Sequence, residues 1–152
     1  MHRRRFLSHC IQLIAAPVIA LFYPKQATSA WLASHFATTE FSPQFQQLYA
    51  GLSITDTTDI EISLPDIAEN GAVVPISISS KLDNIQGFDI WVEKNPTPLA
   101  AEIHFSADVL AVMTGRIKMA ESCQVIVIAH QNQGLLRNQK WVNVMQGGCG
   151  TG

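Results

Sequence analysis

Charge is scarce in this sequence, and positive charge is scarcest in the body after residue 30. Only 14% of the 152 residues are Asp, Glu, Lys or Arg, while 47% are hydrophobic. So apolar a chain is neither disordered nor fibrous. After Ala30, six basic residues stand against all twelve acidic ones. No cluster of Lys and Arg remains to neutralise phosphates, which argues against nucleic acid as a partner. Cysteine is nearly absent too, with Cys10, Cys123 and Cys149 the whole supply. That is too few for a disulfide-dense scaffold, and the chain is long enough to build a core without one. No metal-ligand spacing and no haem-attachment motif occurs, so no intrinsic cofactor is expected. Internal repeats and low-complexity linkers are lacking as well.

What is present begins with an address. Arg3-Arg4-Arg5-Phe6-Leu7 is a basic start, Ile11 to Phe22 is an apolar stretch, and Ala27-Thr28-Ser29-Ala30 ends in small residues. This order is that of an export signal over residues 1–30. The apolar stretch would span roughly 18 Å as a helix, short of the ~30 Å core of a bilayer, so no membrane anchor is expected. Arg3 and Arg4 followed by Phe6 and Leu7 resemble a twin-arginine signal, with His2 where Ser or Thr is usual. Such a signal implies a periplasmic protein exported in folded form. Cys10 precedes the apolar stretch and leaves with the signal, so the processed chain of about 122 residues keeps two cysteines.

Residues 31–52 read as an N-terminal helical segment. Ser42 is a candidate N-cap, Pro43 suits the first helical position, and Gly51 can end the helix after Phe45, Leu48 and Tyr49. Residues 53–145 then change to period two. Ile60, Ile62 and Leu64 alternate with polar residues, as do Val74, Ile76 and Ile78, and Leu99, Ala101, Ile103 and Phe105. Further strands are expected at Gly87 to Val92, Thr114 to Met119, Cys123 to His130 and Leu136 to Met145. Asn70-Gly71, Asp83-Asn84, Asn95-Pro96 and Asn132-Gln133-Gly134 punctuate them. Seven short strands with little helix predict an all-β, immunoglobulin-like antiparallel β-sandwich. One strand is apolar on both faces, because Ile126 and Ile128 oppose Val125 and Val127. Its second face needs a cover. A partner at Ile126 and Ile128 is one reading; a loop or the N-terminal helix is the other.

Residues 146–152 form a third kind of segment. Four of the last six residues are glycine: Gly147, Gly148, Gly150 and Gly152. A tail of this composition reads as a flexible, thin arm. Cys149 stands four residues beyond Met145, within roughly 13 Å of it when the chain is extended. An unperturbed thiol has a pKa of about 8.5, and the nearest base in sequence is Lys140. Such a thiol lacks the adjacent base or cation of an enzyme's nucleophile. It suits a covalent carrier, whose partners supply the activation. Two alternatives stay open: an exported adaptor whose tail is fixed by a Cys123–Cys149 disulfide, and a thiol hydrolase pairing Cys149 with His104 or His130. In a hairpin centred on Gln133-Gly134, Cys123 would face about residue 144.

Three runs carry a resemblance. They are Ile62-Ser63-Leu64-Pro65-Asp66-Ile67-Ala68-Glu69-Asn70-Gly71 with Val73-Val74-Pro75, then Thr114-Gly115-Arg116-Ile117-Lys118-Met119-Ala120-Glu121-Ser122, and the Gly-Gly-Cys-Gly tail. From about Phe41 to its end the chain resembles the SoxY family, sulfur-carrier subunits of bacterial thiosulfate oxidation. Here Thr151 extends the family's Gly-Gly-Cys-Gly-Gly ending. The resemblance implies that Cys149 holds sulfur intermediates, as an S-thiosulfonate or persulfide. It implies a heterodimer with SoxZ and work with three enzymes. These are a c-type haem cytochrome that joins thiosulfate to the cysteine, a sulfate-releasing hydrolase, and a sulfane dehydrogenase. The chain itself would be no enzyme, and haem and metals would belong to those partners.

Other residues read as ordinary. His104 shares a polar face with Glu102 and Ser106, and His130 ends its strand beside a turn; both read as solvated, and with His35 they have no ligand spacing. Asp66 and Glu69 read as loop carboxylates, Arg116 and Lys118 as an outward charged face, and Trp91 as core.

Overall fold

A computed structural model describes residues 33–106, 109–132 and 134–145 of the protein. The signal residues Arg3, Arg4, Phe6 and Leu7 lie outside them. A 3-10 turn, Ala33–Phe36, and one α-helix, α1 (Phe41–Leu48), precede the strands. The strands are β1 (Ile54–Asp56), β2 (Ile60–Ser63), β3 (Ile67–Ala68), β4 (Val74–Ser80), β5 (Ile85–Val92), β6 (Leu99–His104), β7 (Val112–Ile117), β8 (Cys123–Gln131) and β9 (Gly134–Val144). They make two sheets. The larger runs β1-β9-β8-β5-β6, with β3 also on β9; the smaller runs β2-β4-β7. This is the immunoglobulin-like sandwich the alternation called for.

Period two builds the space between the sheets. Ile60, Val74, Ile76 and Ile78 from the small sheet pack with Phe88, Ile90, Val92, Val125, Val127, Ala129 and Val142 from the large one. All seven expected strands are present. Two short ones, β1 and β3, had no alternation long enough to mark them. Both run parallel to β9, so the sandwich is antiparallel except at that edge.

Leu99 departs from the expected pattern. Between β5 and β6, Ile90 pairs with Ala101 but Trp91 with Leu99, leaving Ala100 as an extra residue. A bulge reverses the alternation beyond it. Ala101 and Ile103 therefore face the core between the sheets, while Leu99 turns to the opposite face.

That opposite face is covered from within the chain. Trp91, Leu99, Ile126, Ile128 and Leu135 are buried there with Tyr49, beneath Phe36, Phe41, Phe45 and Leu48. Phe41, Phe45 and Tyr49 are four residues apart, which stacks them on one side of the helix. Each meets the Trp91 ring, with centroids 5.7, 5.4 and 6.0 Å away. Trp91 is core, as expected. The partner reading of Ile126 and Ile128 is corrected: α1 is their cover, and another protein would first have to displace it. The expected cap is also corrected. Glu40 is the N-cap and makes no side-chain cap bond, so Ser42 lies inside the helix and Pro43 in its first turn. The earlier start brings Phe41 onto Trp91. Full burial of an aromatic ring is worth roughly 1.5–3 kcal/mol, and the half-buried Phe41 gains a share of that comparable with the roughly 1 kcal/mol of a good cap.

Beneath the helix lies the one buried charged residue among those described, Asp89. Its Oδ2 accepts a hydrogen bond from the Tyr49 hydroxyl at 2.6 Å and lies 2.6 Å from His130 Nε2. Trp91 Nε1 donates to the Tyr49 oxygen at 2.9 Å. Nearby, His35 Nδ1 lies 2.8 Å from Glu102 Oε1, and Glu102 is the cross-strand partner of Asp89. The helix is thus held by a polar chain as well as by its rings. His130 is no idle surface group, which corrects the solvated reading; His104 is exposed, as expected.

The hydrogen bond to Asp89 raises the pKa of His130 above its ordinary value, and burial opposes it only in part. A raised folded-state pKa makes the contribution complete below the unfolded value of about 6.5 and lost as pH rises through the folded value. Urea midpoints of the wild type and His130→Gln, compared from pH 5 to pH 9, should differ most at the acid end and converge toward the alkaline end. A constant difference would contradict the ion pair.

Candidate functional site

Cys149, with Gly147, Gly148, Gly150 and Gly152, lies outside the described residues. What the structure describes is the root from which that segment departs. β9 pairs with β8 from Gln131↔Gly134 to Cys123↔Val142. Beyond Val142, new partners take over. Asn143 N–H donates to the Asp66 carbonyl at 3.0 Å, and Met145 N–H donates to the Ala68 carbonyl at 2.9 Å. From the other side, Ser122 Oγ accepts from the Val144 N–H at 2.8 Å and donates to the Val144 carbonyl at 3.4 Å. The chain is therefore held on both sides up to Val144, and from the Ala68 side at Met145.

A second tier fixes those partners. Met119 N–H donates to the Gly71 carbonyl at 2.7 Å. A Cβ on Gly71 would collide with the Met119 carbonyl and come within 2.8 Å of Val144 Cγ1, so only glycine fits there. Lys140 Nζ donates to the Leu64 carbonyl at 2.7 Å and meets Asp66 Oδ1 at 3.1 Å. Asn95 donates to the Lys118 carbonyl at 2.6 Å and accepts from the Ala120 N–H at 2.8 Å. The runs 62–75 and 114–122, far apart in sequence, thus converge on one strand end. Asp66 and Glu69 are exposed, as expected, but Asp66 also shapes the root through its carbonyl. Arg116 and Lys118 face outward. The roles of Ser122 and Gly71 were not foreseen; their place in the quoted runs, beside the last strand, was the available signal.

The root separates the possible thiol chemistries. Cys123 is a free cysteine with no exposed surface. Burial pushes its thiol pKa up. It faces Val142, two residues short of the expected position, because Gly134 already pairs with Gln131 and the turn is tighter. A Cys123–Cys149 disulfide would have to bring the tail between the sheets. The hydrolase reading fails on distance. His130 and His104 both flank Gly87 in neighbouring strands, and His130 pairs with Leu135, ten residues back along β9 from Met145. At roughly 3.3 Å per residue that is ~33 Å, against a reach of ~13 Å from Met145 to Cys149. Among the described residues no group of three or more His, Cys, Asp or Glu is placed to hold a metal ion. No described helix is long and apolar enough to cross a membrane.

Fold and root together define an immunoglobulin-like sandwich that presents its last strand end from a fixed anchorage. The family model for SoxY, the sulfur oxidation protein, matches residues 45–149, ending on the tail cysteine. The chain belongs to the SoxY family. Among solved structures it is similar to the sulfur carrier protein SoxY from Chlorobium limicola f thiosulfatophilum. The two share 25% identity over 68% of this chain and 94% of that one, with a TM-score of 0.61. It also shares its fold with a superoxide reductase (neelaredoxin) from Ignicoccus hospitalis, at 16% identity over 62% and 83% of the two chains and a TM-score of 0.51. No curated protein matches it.

Cys123 should resist a charged thiol reagent in native protein and react once guanidinium opens the sandwich. Peptide mapping after labelling reads this directly. Rapid native labelling of Cys123 would contradict its burial, and its recovery in a disulfide with Cys149 would revive the adaptor.

Proposed function

We propose that the protein is a periplasmic sulfur carrier of thiosulfate oxidation, with Cys149 as the covalent attachment point. One observation carries the reading. The two internal runs that mark the family converge on Val144 and Met145, just before the cysteine with which the family match ends. A carrier needs a firm base and a thin, reactive tip. Ser122, Gly71, Asp66 and Ala68 supply the base; Gly147, Gly148, Gly150 and Gly152 keep the tip narrow enough for a channel.

The chemistry follows from the thiol. Joining thiosulfate to Cys149 forms one S–S bond, giving Cys–S–S–SO3−, and releases one proton and two electrons. The electrons pass to a c-type haem cytochrome, so this chain needs no redox group of its own. A hydrolase then adds water across the terminal S–S bond. Sulfate leaves with a proton, and a persulfide, Cys–S–SH, stays on the arm. A sulfane dehydrogenase oxidises that sulfur further. SoxZ is the proposed permanent companion, and the twin-arginine signal at Arg3 and Arg4 with Phe6 and Leu7 the export route.

The role of the chain is to hold, carry and present. An unactivated thiol, about a few per cent ionised at neutral pH, resists adventitious chemistry until a partner's site engages it.

Cys149→Ser should abolish thiosulfate-dependent sulfate release by the reconstituted system. Urea midpoint and binding to the companion subunit should be unchanged. An unchanged rate of sulfate release would remove the carrier assignment. A loss of stability of about 2–4 kcal/mol would point to a disulfide instead.

A further inference from the structure

The face that α1 covers continues past the helix to the root of the tail, and there it is bare. Residues of β9 alternate: Leu136, Val142 and Val144 pack into the core between the sheets, while Leu135 packs beneath the helix. Trp141 and Met145 share the helix-side face with Leu135. Trp141 is 48% exposed and Met145 57% exposed. Ile67 of β3 pairs with Asn143, between them, and is 58% exposed. Trp141 leans along the strand toward this point, its Nε1 donating to Asn143 Oδ1 at 3.0 Å. Three large apolar side chains therefore stand together in water where the chain leaves the sandwich. Single exposed apolar residues are ordinary; a contiguous group is a mark of contact.

The length of chain beyond the root says what makes that contact. Cys149 can lie no more than ~13 Å from Met145. Any enzyme that acts on sulfur at Cys149 inside a channel must bring the mouth of that channel within this distance. Its rim then meets Trp141, Ile67 and Met145 before the thiol reaches its reacting centre. We propose that these three residues are the docking surface for the enzymes that process sulfur on Cys149, matching an apolar rim around the channel mouth. The surface rests on the carrier reading and gives it a partner-facing side. An aromatic anchor in a small contact suits enzymes that must bind in turn and let go.

The test compares Trp141→Glu, Ile67→Glu and wild type, each processed and purified with any subunit that accompanies it. The haem cytochrome of the same system loads thiosulfate onto Cys149, followed by intact mass. Alkylation of Cys149 by iodoacetamide is timed in parallel. Val112→Glu, 51% exposed at the opposite end of the sandwich, is the control. The expected result is loading at least about tenfold slower in both root variants, with unchanged alkylation, unchanged thermal melting and a normal control. Loading at the wild-type rate would overturn the surface. So would an equal loss in Val112→Glu, or loss of the accompanying subunit, which would make the patch that subunit's seat. Wild-type protein that alkylates but never loads would overturn the carrier reading and the surface with it.

Discussion

The pairing of β9 with its neighbours is the interaction on which the rest depends. On one side, β8 pairs with it from Gly134 to Val142; on the other, β1 holds its beginning and β3 its end. Among the described residues no other strand is clasped by three partners. Its inner residues, Leu136, Val142 and Val144, join the core, so the strand cannot slip without exposing them. The consequence is positional. Met145 is fixed by the same hydrogen bonds that close the sandwich, and Cys149 inherits that fixed origin.

A second constraint keeps the large sheet intact. Both faces of β5 and β8 are apolar, and α1 supplies the second cover through Phe41, Phe45 and Tyr49. Asp89 lies under that cover, where an isolated carboxylate would be costly. Tyr49 and His130 satisfy it, and the Tyr49 phenol is pushed well above its ordinary pKa by burial and by Asp89. The network links the helix to β5 and β8, the strand that presents Ser122's neighbour Cys123 to β9. The buried network at His130 and the anchorage of Met145 thus lie toward opposite ends of the large sheet.

Much of this was legible in the order of residues. Strict alternation marked the inner strands, because a half-buried pleat demands it. The family resemblance rested on runs that turned out to surround the tail's root. What was hidden has physical reasons. β1 and β3 are too short for a period to register, and their parallel pairing depends on β9, far away in sequence. The bulge at Ala100 is a cross-strand event, so Leu99 read as a core-facing residue. Ser42 is the better cap in isolation, but the helix starts earlier and lays Phe41 on Trp91, a contact made across the fold. His130 looked solvated because its partner, Asp89, lies forty-one positions away. Cys149 stood out for the opposite reason, a reactive side chain set among residues that offer it nothing.

The most direct measurement is the intact mass of the processed protein from thiosulfate-fed cells, purified without reductant and peptide-mapped. The account expects a thiosulfonate or polysulfide adduct on Cys149, removed by reductant, with Cys123 as a free thiol. A uniform Cys123–Cys149 disulfide with no adduct would contradict it.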